Sequence, residues 1–415
     1  MQIVADVGGI PGKDCNGYCK YCYFRKVKDV KAFGCAYCLP NKIGCERCSK
    51  GVSETQSEFK NPFEVITSIQ TTLMMQPMRG EVKANISGGG DVSCYPYLED
   101  LTKNLNDMSI KSHLGYTSGK GITDSSIASK LINNGVDEVT FTIFSDKPDL
   151  RREWVKDKTP EASLDACKIF SENIDLTAAS VIVPGVNDGD VLRETCNSLE
   201  KWGAKGIILM RFANTFKEGL ILGNEPILKN IESQSVDSFR ELVDSINKEY
   251  NFRVSGTPVF DPETGGPFAI AKDENEVFLK FIKEVTGEAT IITSKIAAPY
   301  IETIFKKIGA DSVNVVGVSK EIACLITKED LEEIDLADLQ ESVILPGRSF
   351  VHLLDAERIL SGDGVERIVG YGPDTLSIDG ELSFDKIDEN LIEHELEQFN
   401  ELVDAINFYG MRKIN

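Results

Sequence analysis

Along much of this chain, short runs of β-branched residues alternate with longer stretches whose apolar positions recur at helical spacing. This is the pattern of successive βα units around a parallel sheet. Six runs read as strands, at residues 3–7, 82–86, 113–116, 138–144, 176–183 and 206–212, with helical patterns between them such as 126–134 and 163–170. Six strands are fewer than a closed eight-stranded barrel needs, so the pattern predicts an α/β fold built as an open, partial (β/α)6-type barrel. In such sheets the loops at the carboxyl ends of the strands carry the chemistry.

Past the sixth strand the pattern breaks. Residues 213–272 contain Pro226, Pro258, Pro262, Pro267 and the turn-forming pair Gly265 and Gly266, which reads as a change of domain. A new alternation begins near 275, with strands expected at 289–293 and 312–318, a helix at 298–308, a further apolar run at 366–372 and an amphipathic end helix at 390–409. The expected division is therefore 1–60 (first strand and a cysteine-rich stretch), 61–225 (barrel), 226–275 (connector) and 276–415 (a second α/β domain). No internal repeat or low-complexity tract is evident.

Composition narrows the class. The 415 residues are 41% apolar and 8% aromatic, ordinary for a globular protein with sizeable cores. The net charge of -21 argues against a nucleic-acid backbone as partner and for a basic one. Residues 2–7 look like a strand rather than a signal peptide, and no apolar run reaches membrane-spanning length, so the expectation is a cytoplasmic protein with no membrane partner.

Seven of the eleven cysteines fall in the first 48 residues, in two blocks. Cys15, Cys19 and Cys22 form a C-x3-C-x2-C run, and Cys35, Cys38, Cys45 and Cys48 form two C-x2-C pairs. Cysteines at metal spacings indicate a reducing compartment rather than disulfides. Three thiols leave a [4Fe–4S] cube one ligand short, which opens one iron to a small outside ligand. A zinc knuckle is the rival reading, but tetrahedral zinc favours closed, paired sets of four. The second block has that closed pattern and suits a mononuclear S4 site for iron or zinc, as a structural clip or an electron relay. Gly34 and Gly44 each precede a pair, as where backbone N–H groups approach thiolate sulfur.

The C-x3-C-x2-C run, with Tyr21 before the last cysteine, resembles the radical S-adenosylmethionine (SAM) superfamily. That resemblance implies a SAM molecule chelating the open iron. The Ser-Gly-Gly-Gly-Asp segment at 87–91 follows the second strand and resembles the superfamily's GGE-type motif. By that likeness Gly88, Gly89 and Gly90 would present backbone to the SAM amino group, with Asp91 at the acidic position. Segment 183–188 resembles the part that packs against adenine. Arg211 and Tyr116, at the ends of the sixth and third strands, are candidates for the barrel mouth, Arg211 toward cofactor and Tyr116 toward catalysis.

Taken whole, the lead-in at 7–15, the triad, the four-cysteine stretch and the length resemble the methanogenesis marker protein 10 family. The resemblance implies a radical SAM, cobalamin-dependent enzyme that methylates Cδ of an arginine in the methyl-coenzyme M reductase α subunit. Such a carbon offers no acidic proton and no nucleophile. The implied route is hydrogen abstraction by a 5′-deoxyadenosyl radical, then methyl transfer from methylcobalamin, with an electron donor supplying reductant. Cobalamin is assigned by the same likeness to 276–415. None of His113, His352 and His394 lies in a D-x-H-x-x-G loop, so no cobalt-ligating histidine is expected. Asp146, Asp149 and Glu153 are candidates to meet a cationic substrate. The alternatives are a radical SAM peptide maturase with an auxiliary metal site and no cobalamin, or a metal-binding scaffold.

Overall fold

The computed structural model describes residues 2–26, 58–75, 81–220, 226–258, 261–263, 268–373 and 391–410. The chain divides into two units. Of the described residues, the first takes in 2–26, 58–75, 81–212 and 226–255; the second takes in 213–220, 256–258, 261–263, 268–373 and 391–410.

The first unit is built on strands β1 (Gln2–Asp6), β2 (Lys83–Ser87), β3 (Lys111–Thr117), β4 (Val136–Thr142), β5 (Asp175–Ile182), β6 (Gly206–Arg211) and β7 (Arg253–Thr257). They lie side by side in chain order, and the registered pairs from β1 to β6 are all parallel. Right-handed crossovers between adjacent parallel strands put every connecting helix on one face and every strand's carboxyl end on one rim.

The helices form for legible reasons. Leu98–Asp107 buries Leu98, Leu101 and Leu105 on one stripe and opens with Glu99 and Asp100, which favour the positive end of the helix dipole. Gly189–Trp202 buries Leu192, Thr195, Cys196 and Leu199, and ends at Gly203 in the left-handed conformation that closes helices. Each buried leucine contributes roughly 1.5–3 kcal/mol.

The α/β partial barrel is as the sequence pattern predicts, with one strand more. The stretch expected to be a connector, 226–275, holds the helix Val236–Glu249 and β7. β7 is five residues long and carries Gly256, with Pro258 directly after it. Its punctuation reads as a turn, and pairing at the sheet edge overrides that local signal.

The second unit has a four-stranded sheet of β8 (Ala289–Ser294), β9 (Val313–Val318), β10 (Ser342–Leu345) and β11 (Ile368–Tyr371). Its order is β11-β10-β8-β9, and all three pairs are parallel. Ile292, Val343, Leu345, Ala356 and Leu360 lie in one buried cluster that ties the sheet to the helix Leu353–Leu360. Glu395, buried on the helix Leu391–Tyr409, accepts from the backbone N–H groups of Ala269 and Ile270, each at 2.9 Å. Lys320, also buried, donates to the Phe216 carbonyl at 2.9 Å and pairs with Asp330 at 3.4 Å. Among the described residues no helix is long and apolar enough to cross a membrane.

Candidate active site

The loop after β1 carries the cysteine triad, and its shape comes from local hydrogen bonds. Asp14 accepts from the Ile10 N–H at 2.7 Å through Oδ2, and Gly17 N–H donates to the Gly12 carbonyl at 2.9 Å. Asn16 and Gly17 both have positive φ, 53° and 113°, so the chain reverses between Cys15 and Cys19. Asn16 is held there by its amide, which donates to the Lys120 carbonyl at 3.3 Å and lies 3.4 Å from the Cys94 sulfur.

The glycine turn after β2 packs directly on this lead-in. A Cβ on Gly88 would stand 2.2 Å from the Gly8 carbonyl oxygen, and one on Gly90 would press on Asp14 and the Phe59 ring. These glycines are needed first for protein-to-protein closeness. Asp91 then anchors the turn to β3. Its carboxylate accepts from Ser93 N–H (3.0 Å) and Oγ (2.5 Å), Thr117 Oγ1 (2.8 Å), Ser118 N–H (2.9 Å) and Ser118 Oγ. Expected to meet SAM, the Asp91 carboxylate is thus engaged by β3 and its loop.

The far side of the triad rests on the segment after β4. Lys20 N–H donates to the Trp154 carbonyl at 2.7 Å, and the Cys19 thiol donates to the Val155 carbonyl at 3.4 Å. Tyr21 stacks on Phe144 with ring centroids 5.0 Å apart, and Phe144 in turn stacks on Trp154 at 6.0 Å. Phe144 has a φ of 61°, unusual for a bulky residue. Its carbonyl accepts from Asn187 Nδ2 (2.9 Å) and Ser180 Oγ (3.2 Å), which holds the strained backbone in place. Asn187, inside the 183–188 segment, also donates to Val181 O and accepts from Val183 N–H, both at 2.8 Å.

Beneath that loop lies Arg151, fully buried with Asp157. It donates to Asp157 (2.8 and 3.2 Å), Thr142 O (3.3 Å), Ile143 O (2.5 Å) and Ser118 O (2.5 Å), so one guanidinium ties the ends of β3 and β4 together.

Burial pushes all three thiols up, Cys22 to about 12, and Cys19 nearby adds to the effect at Cys22. The Lys120 ammonium acts the other way at Cys15, Cys19 and Cys22, favouring thiolate. Burial, then the Cys19 charge, raises the Tyr21 hydroxyl well above its ordinary value. Among the described residues no three His, Cys, Asp or Glu side chains surround a single ion. A cube binds each thiolate to a different iron, so its ligands stand apart. Three half-buried thiols on one loop beside a buried cation are a donor set that fits an anionic iron–sulfur cluster.

The sequence model of the radical SAM superfamily matches residues 10–194. Residues 10–194 thus match a radical SAM domain. The matched residues span the triad, the glycine turn and the strands from β2 to β5. Comparison with curated proteins finds no match. Among solved structures, the chain is similar to a radical SAM methyltransferase from Sphaerobacter thermophilus, with a TM-score of 0.33 and 14% identity over 50% of this chain and 60% of that one. It thus spans less than two thirds of that relative's length. It is also similar to methylornithine synthase (PylB), with a TM-score of 0.33 and 12% identity over 88% and 83% of the two chains. For the methyltransferase TsrM from Kitasatospora setae the TM-score is 0.29, with 11% identity over 38% and 31%. Likenesses this distant carry nothing about substrate or reaction.

Other expected residues of the first unit are placed as follows. Tyr116, at the end of β3, is 46% exposed. Arg211 ends β6, is buried, and donates to the Gln234 carbonyl at 2.8 Å. Asp146 accepts from Ser198 Oγ at 2.6 Å, Asp149 pairs with Arg152 at 2.9 Å, and Glu153 pairs with Lys20 at 2.5 Å. Each candidate for a cationic substrate therefore already has a partner in the protein. Cys35, Cys38, Cys45 and Cys48, expected to close a second metal site, lie outside the described residues.

Four residues of the rim went unread in the sequence: Lys120, Phe144, Arg151 and Asn187. Only Asn187 had a local signal, its place in a turn already singled out. The others are brought in by strand adjacency.

Proposed function

We propose that this protein is a radical SAM methyltransferase that uses cobalamin to methylate Cδ of an arginine in the methyl-coenzyme M reductase α subunit. The observation that carries the radical part is the rim: the cysteine loop after β1 is clamped between the glycine turn after β2 and the Phe144–Trp154 segment after β4. When bound, the cluster and SAM supply a one-electron cleavage that yields a 5′-deoxyadenosyl radical, and cobalamin supplies the methyl group.

The residues of this chain hold and enclose. Cys15, Cys19 and Cys22 would each ligate one iron, and by the family likeness Tyr21, Gly88, Gly89 and Gly90 would contact the bound SAM. Tyr116 and Arg211 end strands on the same rim. Asp91, Asn187 and Arg151 brace the loops that carry these residues, and a bound cluster and SAM would need those loops to keep water and oxygen out.

Support for a second cofactor comes from the second sheet. Its order reverses beside β8, so β9 and β10 flank β8 on opposite sides, and an open α/β sheet binds ligands in the crevice outside such a switch point. The crevice would be edged by Thr293 and Ser294 at the end of β8 and by Pro346, Gly347 and Ser349 after β10. His352, at the end of that loop, uses Nδ1 to accept the Leu354 N–H at 3.2 Å and cap the next helix. His113 lies in β3 of the first sheet and His394 in the C-terminal helix. A cobalamin here would be held without a histidine-loop ligand. The arginine substrate, the reductase partner, the electron donor, and iron or zinc on the second cysteine block follow from the family resemblance.

The test is anaerobic reconstitution with iron, sulfide and cobalamin, then mass spectrometry of an arginine-containing reductase peptide after addition of SAM and dithionite. Gain of one methyl with 5′-deoxyadenosine supports the proposal. Deoxyadenosine without methyl gain, or methyl gain independent of cobalamin, overturns the cobalamin methyltransferase and leaves a maturase.

A further inference from the structure

Lys120 follows Gly119 in the loop after β3 and is 4% exposed. Its ammonium has three N–H groups and three acceptors: the Gly17 carbonyl at 2.7 Å, the Val155 carbonyl at 3.2 Å and the Cys19 sulfur at 3.7 Å. The two carbonyls come from the triad loop and from the segment after β4, so Lys120 pins the one to the other. Among the described residues no carboxylate lies within ion-pair distance of it, unlike the buried Arg151, which has Asp157.

A buried cation without an anionic neighbour is expensive to desolvate. The negative charge in direct contact is sulfur, that of Cys19, with Cys15, Cys22 and Cys94 close enough to feel the ammonium; the buried Asp91 carboxylate acts on Cys15, Cys19 and Cys94 in the opposite sense, without an ion pair to Lys120 among the described residues. Three thiolates make a bound cube anionic overall, and each one-electron reduction adds a further negative charge. Hydrogen bonds to cluster sulfurs and nearby fixed charge set the reduction potential of such clusters.

The geometry points to Lys120 as a positioning residue that raises the cluster's reduction potential, its ammonium hydrogen-bonding the Cys19 thiolate and offsetting the charge added on reduction. This rests on the reading of Cys15, Cys19 and Cys22 as cluster ligands. The electron comes from an external low-potential one-electron donor. No proton moves and no bond is made or broken at Lys120.

The test is an EPR-monitored redox titration of the anaerobically reconstituted full chain without SAM, comparing wild type, Lys120→Met and Lys120→Arg, each with iron and sulfide counted. Lys120→Met should hold its cluster at a lower midpoint, with the ratio of reduced to oxidised cluster at fixed potential down by about tenfold, or about 59 mV for a one-electron couple. Lys120→Arg should stay near wild type.

Equal midpoints in all three proteins would overturn the inference while leaving the triad assignment intact. If Lys120→Met takes up no cluster, a loaded Lys120→Arg with a wild-type midpoint upholds the need for the cation. Loss of loading in both variants with unchanged circular dichroism overturns it in favour of a role in shape alone. A wild-type protein that assembles no cluster would bring down the triad reading and this inference together.

Discussion

In the first sheet every strand lies beside its sequence neighbour, whereas in the second the chain steps from β9 back across β8 to β10 and β11. The first arrangement sends all crossovers to one face and gathers loops on one rim; the second reverses its order beside β8, the kind of switch point at which α/β sheets take ligands. Two parallel sheets in one chain thus offer different places for a ligand. The difference lies in strand order and not in strand composition. At the first rim the loops are crowded and cross-braced, as Asp91, Arg151 and Asn187 show. Thiols placed there are oriented by neighbours far away in sequence.

The largest effect should come from the rim. Cys19→Ala is expected to abolish both cluster uptake and SAM cleavage, measured as iron content and 5′-deoxyadenosine after reduction, because a cube already one ligand short loses another. Cys38→Ala should keep some SAM cleavage. If Cys38→Ala instead removes the cluster signal with the fold intact, the division of the cysteines into two sites is wrong.

Next in size is a contrast between the two buried cations. Arg151→Met leaves Asp157 charged and buried and releases three carbonyls that close the ends of β3 and β4, so it should destabilise by about 3–5 kcal/mol in urea unfolding. Lys320→Met in the second unit should cost less, because Asp330 keeps two donors, the Thr327 N–H at 2.8 Å and hydroxyl at 3.1 Å, where Asp157 keeps the Thr159 N–H at 3.0 Å, and because Lys320 donates to the Phe216 carbonyl where Arg151 holds three. Equal losses would mean that the rim is no more cross-braced than the second unit.

How much of this was legible follows the same division. The triad, the glycine turn and six strands could be read because each is a local pattern of spacing or alternation. β7 could not, since five residues punctuated by Gly256 and Pro258 look like a turn until an open sheet edge pairs with them. Lys120 could not either. A lysine in a loop has no pattern of its own, and only the side-by-side order of β1 to β4 brings it to Cys19. The Asp91 position was legible while the use of its carboxylate was not, because Thr117 and Ser118 arrive from another strand. In the second unit β8 and β9 were readable as short apolar runs and β11 lay in one, but β10 was missed, its four residues being buried on both faces with no alternation, and the order that makes the switch point was not legible, since pairing is non-local.

The smallest expected effect concerns Glu395 of the second unit. Burial raises its carboxyl above the ordinary value, against the pull of the Ile270 and Ala269 N–H groups. A carboxyl whose folded value exceeds its unfolded one binds more protons in the folded state between the two. Its contribution to stability is then full below the unfolded value near 4.5 and is lost as pH rises through the folded value. Glu395→Gln cannot titrate, so its stability should change less steeply over that window. Thermal unfolding from pH 4.5 to 8 should show wild type gaining on the variant as pH falls. Parallel curves would mean that the two N–H groups hold the carboxylate as well as water does.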